Sequence, residues 1–432
     1  MDMKNNNSSI LPWRFFILVV FVLAVTGCSA NGPSTIDLMP APEIYAQSEL
    51  DPFEEGGPIR PEIFYATNRA PSVDGDIAYS GERGSVLRLG IADIKMSKGD
   101  FSWEEVRRIS LLKNRSTKYP LQVDSVNEIG VLASSLNPFA EENLSFFGMD
   151  TTGKEFAARI NKKLSSSNRK DIYIYVHGYK VDFDNPILVA SELWHFLGYS
   201  GAFVAFSWPS TPRTMAYLGD LETAELSSYY LRAFLEYLAE STDAERIHIL
   251  GYSAGTRVVE KALFQLILTH EHDPDSLRKL RIGHAMLVGS DMDAEIFGAN
   301  IKEGMLNVAD DLTVYVSGTD KAVDFSAWLF DRVRLGQMQD DLSYPVKQFI
   351  NENPKLRLID VTDAAAASTG NGHGYFRESP WVSSDILMTL MYNLTPEDRG
   401  LQRQEDWPIW TFPPDYMDAL MIDLEKRLSP KQ

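Results

Sequence analysis

The residues of this chain best suited to do chemistry lie in Arg246-Ile-His-Ile-Leu-Gly-Tyr-Ser-Ala-Gly255, an apolar run that ends in the pattern G-x-S-x-G. A strand running into so tight a turn leaves no room for side chains at Gly251 and Gly255, and it lifts the Ser253 hydroxyl above the sheet. The apolar segment Thr256 to Leu268 then reads as a helix. The amide of Ala254 accordingly points to where an oxyanion would form if Ser253 attacked a carbonyl carbon. Such an attack needs three more parts: a base, a group that orients the base, and a second amide donor.

Seven histidines are available as the base. His248 lies inside the elbow strand and His284 near the start of another, both remote from the strand tips. His195 falls in a helical segment. His270 and His272 close the helix that leaves the elbow, roughly 25 Å from the serine at about 1.5 Å per residue. His177 is at a strand tip but precedes Gly178, where backbone and not a base is used. That leaves His373, in Thr369-Gly-Asn-Gly-His-Gly374.

For the acid, Asp320 has the best address, in a Ser-Gly-Thr-Asp turn at the end of the strand Leu312 to Val316. Asp291 and Asp293 follow the preceding strand, and Asp324 and Asp363 are further alternatives. Asp320 also reads as the cap of a helix beginning near Ala322. The loop after His177-Gly178 is the place for the second donor, which makes the amide of Tyr179 the candidate.

These parts have to be positioned by a scaffold, and from Gly153 onward strands and helices alternate. Strands are expected at 171–176, 202–206, from 246 into the G-x-S-x-G turn, 285–289, 312–316 and, as the last one, 356–361. The helices between them predict βαβ units and a doubly wound, mostly parallel sheet covered on both faces. Ligands of such a sheet bind outside the carboxyl ends of its strands, where Tyr179, Ser253, Asp291 and Asp320 fall. Trp208, Tyr179, Phe183 and Tyr375 also fall near those tips, as pocket lining or as packing. Ahead of this core, 62–67 and 86–94 read as extra strands, with Asn68-Arg69-Ala70-Pro71 as a turn. The stretch 100–150 is irregular, a lid or an edge hairpin.

The first residues are of another kind. Phe15 to Val25 is an apolar run flanked by Lys4 and Arg14, and Val25-Thr26-Gly27 precedes Cys28, the single cysteine of the chain. The pattern is similar to a bacterial lipoprotein signal, with cleavage after residue 27 and a lipid on Cys28. It implies a cell-envelope lipoprotein, outer-membrane by Ser29, facing the periplasm. Residues 28–60, rich in Pro, Glu, Gly and Ser, are expected to be a flexible tether. Residues 61–398 form the main domain and 399–432 a C-terminal extension whose Trp-Pro-rich start packs on the domain or recruits a partner.

With 432 residues and a formal net charge of −19, the chain is a poor match for nucleic acid or bare anionic membrane. It has no His-Glu-x-x-His, Cys-x-x-Cys or Walker-type loop, so neither a metal nor a nucleotide cofactor is implied.

Tyr173-Ile-Tyr-Val-His-Gly-Tyr179, Ala205-Phe-Ser-Trp-Pro-Ser210, Gly251-Tyr-Ser-Ala-Gly255, Val314-Tyr-Val-Ser-Gly-Thr-Asp320 and Gly372-His-Gly-Tyr-Phe376 together resemble the blocks of a bacterial α/β-hydrolase family of undefined function. Glu62-Ile-Phe-Tyr-Ala-Thr-Asn-Arg69 and Gly81-Glu-Arg-Gly84 resemble its leading blocks. The resemblance implies the α/β-hydrolase fold with extra N-terminal strands, Ser253 as nucleophile, Asp320 as acid, His373 as base and Tyr179 as an oxyanion donor. Tyr252 and Ala254 depart from the commoner His and Met of the family elbow, which leaves the substrate open. The expected activity is hydrolysis of an ester, thioester or lactone through an acyl-enzyme. The alternatives are acyl transfer on the same triad, or a non-catalytic envelope lipoprotein.

Overall fold

The computed structural model describes residues 34–428 except 48–50, 54–56, 59–60, 74–76, 97–100, 113–114, 138–148, 212–216, 339–341 and 405. Cys28 and the signal segment lie outside the described residues. Among the described residues the strands are β1 (Thr35–Asp37), β2 (Glu62–Pro71), β3 (Tyr79–Met96), β4 (Pro120–Val131), β5 (Asp171–Val176), β6 (Ala202–Ser207), β7 (Arg246–Tyr252), β8 (Ile282–Val288), β9 (Ala309–Val316), β10 (Leu356–Asp360) and β11 (Ile409–Thr411). They form one sheet in the order β1-β4-β3-β2-β6-β5-β7-β8-β9-β10-β11. From β2 to β11 neighbours run parallel, while β1, β4, β3 and β2 pair antiparallel.

The centre of the sheet is parallel because its strands are apolar on both faces. Every residue of β5, β6 and β8 is buried. Alternate residues of β5 enter opposite cores: Ile172, Ile174 and Val176 one, Tyr173 and Tyr175 the other. The first core is closed by α3 (Tyr217–Ser241) and α4 (Gly255–Thr269), and the second by α2 (Asp184–Phe196), α6 (Pro380–Tyr392) and α7 (Tyr416–Leu428). After β5 the chain goes to β6 on one side, and β7 then returns to the other side of β5. The strand order therefore switches between β5 and β7, which opens a crevice above their carboxyl ends.

Four expectations are corrected. Within the expected tether 28–60, β1 pairs with β4 and α1 (Glu43–Gln47) packs down, burying Ile36, Leu38, Met39, Ile44 and Tyr45 in the second core. Those apolar side chains make the segment a strap, because their burial offsets the entropy of ordering it. The supposed turn at Asn68 to Pro71 is part of β2, whose register against β3 slips on either side of Arg69 and supplies the bend. Part of the irregular stretch 100–150 is β4, inserted between β1 and β3. Finally β10 is not the last strand: β11 adds parallel to it, and α7 buries Tyr416, Leu420 and Leu424, so the described part of the C-terminal extension is built into the domain.

Candidate active site

Ser253 stands between β7 and α4 with φ of +52°, a left-handed conformation that a non-glycine residue holds only when its surroundings over-determine it. The surroundings do so. Its amide donates to Val288 O at 2.9 Å, and Thr256, in the first turn of α4, donates its amide to Ser253 O at 3.0 Å. Gly255 presses so close to β5 that a Cβ there would lie 2.3 Å from His177 O, and a Cβ on Gly178 would lie 2.7 Å from the Ser253 Cβ. Close approach, and not turn geometry alone, is what requires glycine at both positions. Ala254 immediately precedes the helix, so its amide belongs to the unsatisfied N-terminal set of α4.

On the far side of the crevice, His373 Nδ1 lies 2.7 Å from Asp320 Oδ2. Asp320 is fully buried, and its other oxygen caps α5 (Lys321–Phe330) by accepting the amides of Ala322 and Val323. The aspartate that caps the helix is thus also the one paired with His373. The imidazole ring packs on the Tyr252 ring at 4.9 Å between centroids, which brings His373 beside the residue preceding Ser253. Among the described residues no hydrogen bond joins the Ser253 hydroxyl to His373; such bonds often form fully only around substrate.

The rival acids are engaged elsewhere. Asp291 Oδ1 accepts Arg257 Nε–H at 2.8 Å, Asp293 caps the helix Ala294–Lys302, Asp324 accepts Gln337 Nε2–H at 2.6 Å, and Asp363 is exposed. The other histidines are likewise placed away from Ser253. His195 sits between Tyr199 OH (2.6 Å) and Ser110 Oγ (2.7 Å), and His284 faces Asp311 at 2.8 Å with His248 stacked on it. His270 meets Ser276 and Glu236, and His272 is exposed. His177 is a fixture of the loop after β5. Its ring lies flat on Trp208, Trp208 Nε1–H donates to His177 O at 2.6 Å, and burial, followed by the charge of Arg69, holds the imidazole well below its ordinary pKa.

Tyr179 follows directly on Gly178 and is half-buried. Trp208, Phe183 and Tyr375 are buried, so of the aromatic residues near the strand tips these three serve packing. Tyr375 does something the sequence did not signal: its hydroxyl accepts the Gly289 amide at 2.6 Å and donates to Tyr315 O at 3.0 Å, fixing the loop beneath His373.

Residues 152–391 match the family model described as "Alpha/beta hydrolase of unknown function (DUF900)". The chain belongs to this family. It is therefore a hydrolase of the α/β class, with the fold its blocks implied. A solved structure similar to this chain is that of a candidate cell surface hydrolase from Lactobacillus plantarum WCFS1. The two are 15% identical, the match covers 53% of this chain and 95% of the other, and the TM-score is 0.32. No curated protein matches the sequence. In the elbow of this chain the Tyr252 ring is shared between His373 and Phe376.

Proposed function

We propose that this hydrolase is a serine esterase of the cell envelope, acting on an ester, thioester or lactone. The observation that carries the reading is the 2.7 Å pairing of His373 with buried Asp320 beside a strained serine elbow. In the reaction, Ser253 Oγ attacks the acyl carbon while its proton passes to His373 Nε2. Asp320 holds the Nδ1–H and stabilises the imidazolium. The negative oxygen of the tetrahedral intermediate takes the amides of Ala254 and Tyr179. As the intermediate collapses, the leaving alkoxide or thiolate receives the proton from His373. Water then attacks the acyl-serine, giving its proton to the same imidazole, and the acid is released as Ser253 recovers its own. Each step needs only groups of the chain and water.

The placement at the envelope rests on the segment before Cys28 and its lipoprotein pattern. A panel of aryl esters, acyl esters of graded chain length and lactones tests the activity. Turnover of at least one class by wild type, and none by Ser253→Ala, is expected; equal turnover by the two proteins sinks the reading.

A further inference from the structure

Arg69 is a fully buried guanidinium to which the proposed reaction gives no task. Its hydrogen bonds all go to neutral oxygens: Nε to Ser207 Oγ (3.0 Å), Nη1 to Ser80 O and Ser210 O (3.3 Å each), and Nη2 to Val181 O (3.0 Å). Burial pushes its pKa down to about 10 against the pull of Asp182, Asp220 and Asp184, so it stays charged at neutral pH. A buried guanidinium whose hydrogen bonds all go to neutral groups is costly, and an apolar side chain of similar volume would fill the space at lower cost. What the fork supplies and a methionine cannot is a simultaneous grip on two strand-tip loops.

Both loops border the crevice. Val181 belongs to the loop after β5, two residues beyond Tyr179, and Ser207 and Ser210 belong to the end of β6 and the loop after it. The loops are also clasped to each other: Ser210 Oγ accepts the Val181 amide at 3.3 Å and donates to Val181 O at 3.0 Å. Between Tyr179 and Val181, Lys180 is held at φ of +66°, which an unsupported loop would relax. At the crest of this loop a Cβ on Gly178 would lie 2.7 Å from the Ser253 Cβ.

We infer that Arg69 is a positioning residue for the second oxyanion donor: by gripping Val181 O and Ser210 O it fixes the turn that aims the Tyr179 amide at the reacting oxygen. The inference rests on the serine hydrolase reading, and it assigns a task to the bulged end of β2.

The test uses the full chain with Arg69→Lys, which keeps charge and loses the fork, and Arg69→Met, which loses both. Two readouts are taken: hydrogen exchange of residues 178–182, and kcat and KM on an aryl ester. Exchange in that segment is expected to quicken about tenfold or more in both variants while β5 and β7 stay protected. In both, kcat is expected to fall about 10- to 100-fold with KM little changed, somewhat less than the loss of a whole oxyanion donor. Unchanged exchange in a folded variant overturns the inference, as does recovery of wild-type kcat by Arg69→Lys, which would make charge alone the requirement. Failure of both variants to fold overturns it too, since Arg69 would then be a scaffold residue. If wild type turns over no ester, the hydrolase reading falls by itself, and hydrogen exchange still judges the grip on the loop.

Discussion

Asp320 binds His373 with one carboxylate oxygen and the amides of Ala322 and Val323 with the other. The two tasks reinforce each other: capping α5 fixes the carboxylate plane, so Oδ2 has one direction to face, and the imidazole lies in it. A helix N-terminus here serves as a vice for an acid.

Replacing Asp320 by Asn preserves a good cap and removes the charge beside the imidazole. In the account above, Asp320→Asn lowers kcat by about 10⁴-fold and leaves the melting temperature close to wild type. Asp291→Asn leaves kcat near wild type and lowers stability by about 1–3 kcal/mol, because the ion pair of Arg257 with the carboxylate is lost while its bond to the Asp291 carbonyl stays. Steady-state kinetics and thermal melts of both variants check this, and the reverse pattern would move the acid to Asp291.

Gly289 has φ of +57°, and a Cβ there would lie 3.0 Å from His373 Cε1, 3.1 Å from Nδ1 and 3.4 Å from Asp320 Oδ2. Gly289→Ala therefore pushes on the imidazole itself. The expected result is a fall in kcat of about tenfold or more from misplacement, with a stability loss of about 1 kcal/mol from the strained backbone. Activity unchanged in the folded variant would place His373 outside the reaction.

Glu260 of α4 is buried, accepts Asn300 Nδ2–H, and is raised by burial from 4.5 to about 7. Below pH 4.5 the folded and unfolded states are both protonated. As pH rises to about 7 the unfolded chain ionises while the folded one keeps its proton, so stability falls across that window and then levels. Glu260→Gln should match wild type near pH 4 and exceed it above pH 7 by about 2–3 kcal/mol, measured by urea unfolding. His195 acts in the opposite sense. Burial, then Arg115, lowers it from 6.5 to about 3, so its contribution is lost as pH falls from 6.5 to 3. A pH-independent difference between Glu260→Gln and wild type would contradict the assignment.

Removing residues 1–50 tests the strap. Such a chain loses the burial of Ile36, Leu38, Met39, Ile44 and Tyr45, and it leaves Arg115 without the Leu38 and Met39 carbonyls it holds at 2.8 and 2.6 Å. It also strips Glu192 and Arg377, four residues beyond His373, of their bonds to the Met39 amide and the Asp37 carbonyl. The truncated protein is expected to be less stable by several kcal/mol or insoluble. A melting temperature equal to that of the full chain would restore the picture of a tether.

The parallel centre of the sheet, the turn that carries Ser253 and the pairing of Asp320 with His373 were legible because they follow from local rules. Strands buried on both faces read as apolar runs, and tight turns demand glycine. The edges were not legible for the same physical reason inverted. β4 carries Gln122, Asp124, Asn127 and Glu128 and is largely half-exposed, so no period announces it, and β1 and β11 are three residues each, held by their neighbours. Arg69 was read as part of a turn because Asn68 and Pro71 are turn-forming residues; only its partners in three other segments explain its burial.

The central claim is that Ser253 is an activated nucleophile. Incubating the folded full chain with a fluorophosphonate probe, followed by peptide mass spectrometry, tests it directly. The account predicts one modified peptide, labelled at Ser253, with labelling abolished in Ser253→Ala and strongly slowed in His373→Ala. A folded wild-type protein that takes no label, or takes it on another serine, would contradict it.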